Sequence, residues 1–184
     1  VLLMLKRVIS VDREIVTNLS TTMALDKVAE EYNGQVLRTP VGEINVVEQL
    51  HESSAIIGGE GNGGIILPFS NRGRDSLSGM ALILFLMTLE EKTISDIMKT
   101  LPEYVMVKNK VEAKVDNLAD EVEKLSEIKE PIDIITDDGV KLKFENSWVH
   151  IRKSNTEPIV RVIAEAETKE EAQVLADKFL NYFK

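Results

Sequence analysis

The sequence has 184 residues, enough for one large domain or two small ones that each bury a core. Its 43% hydrophobic and 29% charged residues are those of an ordinary soluble globular chain, and the formal net charge of −9 speaks against nucleic acid or an anionic membrane as a general partner, since both need clustered positive charge. With no cysteine, disulfides, thiolate metal sites and thiol catalysis are excluded, a composition that suits the cytoplasm.

The opening Val1-Leu2-Leu3-Met4-Leu5 is shorter than a signal core, and no stretch reaches the roughly 20 apolar residues of a membrane span. Beginning at Val1 inside an apolar run without an initiator Met, the chain is expected to be a piece of a longer polypeptide. Residues 14–19 predict a strand and 22–32 a helix with Met23, Leu25, Val28 and Ala29 inward, ended by Asn33-Gly34. Residues 35–38 predict a strand, 42–50 a short helix, 55–58 a buried strand, 64–67 a strand stopped by Pro68, and 75–89 a long apolar helix. Thr93 can cap a further helix that Leu101-Pro102 would close. This rhythm predicts a layered α/β domain with a mixed sheet over residues 1–102.

Residues 103–184 read as a small α+β domain with an antiparallel sheet. Strands are expected at 104–111, 132–135, 140–144, 148–151 and 159–164, with a turn at Asp137-Asp138-Gly139. An acidic amphipathic helix is expected at 116–128 with Leu118, Val122 and Leu125 inward, and a last helix at 169–182.

The most informative segment is Arg152-Lys153-Ser154-Asn155-Thr156-Glu157-Pro158, between two strand-like runs. Such a loop can present backbone amides, two hydroxyls, the Asn155 amide and the Arg152 guanidinium toward one point, which are the groups that hold a phosphate. Arginine matters most, because its planar fork donates two parallel charge-assisted hydrogen bonds that a lysine cannot reproduce. Residue types alone leave a solvated polar hairpin turn as the other reading.

A second segment, Gly58-Gly59-Glu60-Gly61-Asn62-Gly63-Gly64, sits at the end of an apolar strand. Ligands bind at the carboxyl ends of strands in α/β sheets, and glycines let backbone approach them, so Glu60 and Asn62 can serve vicinal sugar hydroxyls. The segment is neither a Walker loop nor a dinucleotide fingerprint, and a flexible glycine turn is the bland alternative. Asn71-Arg72-Gly73-Arg74-Asp75 reads as a loop at an element end, with Arg72 and Arg74 in ordinary surface pairing. His51 and His150 have no metal-ligand spacing around them.

Taken in order, these segments resemble the α-D-phosphohexomutases, the family of phosphomannomutases, phosphoglucomutases and phosphoglucosamine mutases. Members have four domains, with a Gly-Glu-x-Ser-Gly sugar loop in the third and an Arg-x-Ser-x-Thr-x-Pro phosphate loop in the fourth. Arg152, Ser154, Asn155, Thr156 and Pro158 match the second loop, and residues 161–165 continue like the strand after it. Arg38-Thr39-Pro40-Val41-Gly42 and Gly73-Arg74-Asp75 also look like third-domain segments. Asn62 stands where many members have Ser, and Gly64 where many have His.

The resemblance covers all but the first dozen residues, which look like the tail of a preceding domain. It implies an intramolecular phosphotransferase that interconverts hexose 6-phosphate and hexose 1-phosphate (mannose, glucose or glucosamine) through a bisphosphorylated sugar. It implies sugar binding by Glu60, Gly61 and Asn62, and phosphate binding by Arg152, Ser154, Asn155, Thr156 and Arg161. The family's phosphoserine loop and the acidic loop that holds Mg2+ belong to its first two domains and are absent from this sequence. The chain alone is therefore expected to be inactive, with those N-terminal domains and a hexose phosphate as its partners. A non-catalytic sugar-phosphate binding module, and an unrelated interaction domain in which both loops are structural turns, are the alternatives.

Overall fold

The computed structural model describes residues 14–113, 115, 117–154 and 157–184. The expected tail of a preceding domain, and Asn155 and Thr156 of the phosphate loop, lie outside the described residues. The chain divides into two compact units, the first ending at Glu103 and the second running Tyr104–Lys184.

The first unit is α/β. It contains β1 (Glu14–Asn18), α1 (Ala24–Glu31), β2 (Gln35–Thr39), α2 (Glu43–Glu52), β3 (Gly58–Gly59), β4 (Ile65–Leu67), β5 (Asn71–Arg74), α3 (Ser76–Glu90) and α4 (Ile94–Met98). The sheet is mixed, in the order β2-β1-β3-β4-β5: β1 runs parallel to β2 and β3, while β3-β4 and β4-β5 are antiparallel.

Side chains alternate across a strand, so Ile15 and Val16 enter different cores. Ile15 packs with Leu25, Val28 and Ala29 of α1, and Val16 with Val46 and Leu50 of α2. Helices thus cover both faces of β1, which explains why Ile15, Val16, Thr17 and Asn18 are all buried. Helix α1 stops where Asn33 takes a left-handed φ of 51° and Gly34 N donates to Ala29 O at 2.8 Å.

Two expectations need correction. Of the strand expected at 55–58, only Gly58 pairs as strand, continuing into Gly59, against Val16 and Thr17. The approach is close there: a Cβ on Gly58 would meet Leu50 Cδ1 at 2.8 Å and Val16 O at 3.0 Å. The arginine-bearing segment at 71–75 is not a plain loop, because Asn71–Arg74 forms an edge strand through Ile66↔Arg74 and Leu67↔Asn71, with a register shift between them. Its polar residues hid it, since an edge strand buries little.

Helix α3 starts at Asp75, whose carboxylate accepts from Leu77 N at 2.9 Å, Ser78 N at 3.3 Å and Ser78 Oγ at 2.6 Å. The Ser78 hydroxyl bond, then the backbone bonds, hold this carboxyl below its ordinary pKa.

The second unit is α+β. It contains β6 (Val105–Glu112), a 3-10 turn (Leu118–Glu121), α5 (Val122–Ile128), β7 (Asp133–Ile135), β8 (Val140–Lys143), β9 (Trp148–Lys153), β10 (Ile159–Ala166) and α6 (Lys169–Tyr182). Its sheet is antiparallel throughout, in the order β6-β10-β9-β8-β7. Val140, Leu142, Val149, Ile151, Val160 and Val162 form a core with Leu175, Ala176 and Phe179 of α6 and Leu125 of α5. Fully burying a ring such as Phe179 stabilises by about 2–3 kcal/mol. Thr168 and Glu171 close a capping box at the start of α6. The helix expected at 116–128 is α-helical only from Val122; Asn117 caps a 3-10 turn ahead of it.

Candidate functional site

Each unit presents one of the two loops at a strand end. In the first unit the glycine loop leaves β3, turning through Gly63 N to Glu60 O at 3.1 Å and Glu60 N to Gly64 O at 3.1 Å. Gly63 takes a φ of +92° that only glycine adopts cheaply. The Glu60 carboxylate is held from three sides. Asn18 Nδ2 donates to its Oε1 at 3.0 Å, Asn62 Nδ2 to its Oε2 at 3.3 Å, and Arg74 Nη1 lies 3.9 Å from Oε2. The Glu60 side chain is 8% exposed, so its position is set by these partners rather than by solvent.

Asn62 also accepts from Gly64 N at 3.0 Å, which uses its amide at both ends for loop geometry. Gly61 is exposed, and a Cβ there would meet only ordinary contacts of 3.5 Å to Ser20 and Thr21, so space does not require glycine at that position. Gly64 differs: a Cβ would collide with Arg74 Cδ at 2.3 Å and Cγ at 2.9 Å. The Arg74 stem fills the space beside Gly64.

Arg74 and Asn18 are the residues that sequence reasoning missed in this loop. Arg74 does form the expected surface pair, with its Nε 2.8 Å from Glu43 Oε2 and its backbone N 2.9 Å from Glu43 Oε1, and this backbone bond leads the causes that lower the Glu43 pKa. The same side chain also reaches Glu60. No local pattern announces either residue, because β5 and β1 meet the loop only through the sheet. Thr17 Oγ1 donates to Gly59 O at 2.8 Å and Thr21 Oγ1 to Asn18 Oδ1 at 3.0 Å, which anchors the loop's base.

In the second unit, β9 and β10 flank the other loop. Ser154 N donates to Ile159 O at 3.0 Å, extending the ladder to the loop's mouth. The register pairs Arg152 with Arg161, so the two side chains leave the sheet on the same face from directly opposed positions. Like charges so placed are destabilising unless something negative separates them. Carboxylates partly serve: Asp138 Oδ2 lies 3.4 Å from Arg152 Nε, and Glu157 Oε2 lies 3.9 Å from Arg161 Nη2. The first contact has ion-pair distance without hydrogen-bond alignment, so Arg152 Nε is a buried donor lacking an aligned acceptor among the described residues. The Arg161 pair is open to solvent on both sides, while the Arg152 pair is mostly enclosed, with side chains 18% and 21% exposed.

His150, one residue from Ile151 and two from Arg152, is fully buried. Its Nε2 lies 2.6 Å from Asp138 O, and because a carbonyl only accepts, this nitrogen carries the proton. Burial pushes its pKa down to about 4, aided by the nearby cations Lys141 and Arg152, so the ring is neutral at neutral pH. Beside it, Trp148 Nε1 donates to Glu165 Oε2 at 2.6 Å, and Lys141 Nζ sits 4.0 Å over the Trp148 ring. Among the described residues, no three His, Asp or Glu side chains gather as a metal-ligand set.

Comparison with known proteins follows the two units. Residues 2–104 match the model of phosphoglucomutase/phosphomannomutase, alpha/beta/alpha domain III, and residues 106–181 that of the phosphoglucomutase/phosphomannomutase C-terminal domain. The chain is 34% identical to a probable phosphoglucosamine mutase of Methanopyrus kandleri over 91% of its own length and 38% of the relative's. It is 37% identical to a phosphoglucomutase/phosphomannomutase of Thermococcus kodakarensis over 86% and 35%. It thus spans well under half the length of these relatives. A solved phosphoglucomutase/phosphomannomutase family protein of Burkholderia thailandensis superposes with TM-score 0.80 at 22% identity, over 98% of this chain and 40% of that one, which establishes likeness of fold. The Aspergillus fumigatus N-acetylphosphoglucosamine mutase, solved in complex with GlcNAc-6P and magnesium, gives 0.62 at 15% identity over 93% and 39%. With both units matched in chain order, the chain belongs to the phosphoglucomutase/phosphomannomutase family, as its domain III and its C-terminal domain.

Proposed function

We propose that this chain holds the substrate in a phosphohexomutase that interconverts hexose 6-phosphate and hexose 1-phosphate, while the parts of the parent enzyme outside it carry the transferred phosphoryl group and the Mg2+. In this reading Arg152, Ser154, Asn155, Thr156 and Arg161 bind the phosphate that is not reacting, and Glu60, Gly61 and Asn62 bind the sugar hydroxyls. The observation that carries it is the Arg152↔Arg161 pair at the mouth of the loop. Two arginines at directly opposed strand positions, in a chain of net charge −9, favour an anion at that face. Glu60 supports the second half: a fixed carboxylate can accept from two vicinal hydroxyls, and its charge disfavours phosphate there.

Phosphoryl transfer depends mainly on positioning and electrostatic stabilisation, so a clamp on the distant phosphate contributes to rate by orienting the reacting end. The bisphosphorylated sugar must present either end to one donor, and a clamp that reads only a phosphate group serves both orientations. Calorimetric titration of the chain with glucose 1-phosphate and with inorganic phosphate at low salt tests the reading. Arg152→Lys keeps the charge but loses the bidentate fork, and should weaken both ligands by about 1.5–3 kcal/mol, roughly tenfold to over a hundredfold. Glu60→Gln should weaken the sugar phosphate and leave inorganic phosphate nearly unchanged. Unaltered binding by Arg152→Lys would sink the phosphate assignment, and equal losses for both ligands in Glu60→Gln would sink the sugar assignment.

A further inference from the structure

The turn Asp137-Asp138-Gly139 between β7 and β8 lies against the base of the phosphate loop, and no sequence motif links it to anion binding. We propose that Asp138 is a positioning residue for phosphate recognition, holding the guanidinium of Arg152 by its Nε edge so that the two terminal nitrogens face the anion, an assignment that rests on the phosphate reading of Arg152.

Three contacts place it. The Asp138 carboxylate lies 3.4 Å from Arg152 Nε, a nitrogen that is buried and has no aligned acceptor among the described residues, so this carboxylate is the charge that offsets it there. The backbone of the turn is seated on the arginine's own strand. Gly139 has φ +74°, and a Cβ there would lie 2.2 Å from Ile151 O, 3.0 Å from Arg152 Cα and 3.1 Å from Arg152 Cβ. No other residue lets the turn approach this closely. Last, the buried His150 ring donates from Nε2 to Asp138 O at 2.6 Å, fixing the carbonyl of the residue whose side chain meets Arg152. One strand therefore carries both the guanidinium and the group that anchors its partner, which ties the two positions together.

A fork held by Nε can offer both terminal nitrogens in its plane to a phosphate, the arrangement that gives arginine its bidentate bonds. A guanidinium free to swing would lose part of its affinity in ordering the side chain on binding. Arg161 provides the internal contrast, since its carboxylate partner is 3.9 Å away at a terminal nitrogen and both groups are open to solvent.

The sign of the effect separates positioning from plain electrostatics. Asp138 is negative and stands near a proposed anion site, so removal of its charge should tighten phosphate binding if Coulomb attraction alone matters. Positioning requires the reverse. In the full chain at low salt, Asp138→Asn is expected to weaken inorganic phosphate and glucose 1-phosphate by about tenfold. In an Arg152→Lys background the same change should cost under about twofold, since the effect passes through the guanidinium. The thermal midpoint of Asp138→Asn is measured in parallel, because a merely structural role would lower it and leave the loss equal in both backgrounds. Binding by Asp138→Asn as tight as the parent's or tighter, or a loss undiminished in the Arg152→Lys background, overturns the proposal. Indifference of binding to Arg152→Lys in the parent chain instead overturns the phosphate reading.

A readout without ligand guards against weak binding by the chain alone. Hydrogen exchange at the arginine Nε–H, followed by NMR, should be about tenfold slower at Arg152 than at Arg161, and Asp138→Asn should erase that difference. Equal exchange at the two arginines in the parent chain also overturns the proposal.

Discussion

His150 is fully buried on β9, and its neutral ring donates to the Asp138 carbonyl. Burial disfavours its cation, which lowers its pKa from 6.5 to about 4. Between these values the unfolded chain takes up a proton that the folded chain refuses. The stability linked to this residue is therefore complete above about pH 6.5 and lost as pH falls through about 4, on the order of 3 kcal/mol in all. Urea unfolding at about pH 7 and about pH 5 should show about half of this loss, and His150→Gln, which keeps an N–H donor but does not titrate, should remove most of that difference. An unchanged slope in His150→Gln would refute the assignment. Glu43, Asp75, Asp96 and Glu121 also have lowered pKa values, but as carboxylates they act at lower pH, where their stabilisation fades as they protonate. At this scale Arg152, Ser154 and Glu60 were legible as chemistry-bearing residues, because a guanidinium, a hydroxyl and a carboxylate declare what they can bind. Asp138, Asn18 and Arg74 were not, since each is distant in sequence from the residue it serves.

Helix α3 shows how an element's position can be legible while its environment is not. Its range was legible from the apolar run, yet of its 15 residues only Leu86 is fully buried. Leu77, Leu84 and Phe85 are 74%, 62% and 57% exposed. A helix apolar all round has no stripe from which to read its inward face. No helix among the described residues is long and apolar enough to cross a membrane. Leu84→Lys and Phe85→Gln are accordingly expected to change stability by under about 0.5 kcal/mol, as surface substitutions do, and to reduce self-association at high concentration. Leu86→Ala should cost about 2–5 kcal/mol. Comparable losses for Leu84→Lys and Leu86→Ala in denaturant melts would contradict the exposure pattern. The β9-β10 hairpin makes a related point. Two arginines nine positions apart become direct neighbours only through the antiparallel register Arg161↔Arg152, and a shift of one residue would send one of them to the other face.

At the scale of the whole molecule, each unit has its own hydrophobic cluster, one around Leu25, Val28 and Ile15 and another around Ile151, Val162 and Phe179. The segment Tyr104–Lys184 is therefore expected to fold when expressed by itself, with a single cooperative urea transition, and a sloping transition with no plateau would count against an independent core. The sequence by itself determined the mixed α/β character of the first half, the antiparallel α+β character of the second and the two loops that resemble the family's motifs. These follow from periodicity, glycine and proline punctuation, and residue chemistry, all of which are local. Only the tertiary structure decided that Gly58 and Gly59 pair with β1, that Asn71–Arg74 is a strand, that Arg74 fills the space beside Gly64, and that Asp138 meets Arg152. These depend on which strands lie side by side, and sheet order brings together residues whose separation along the chain carries no trace of their contact.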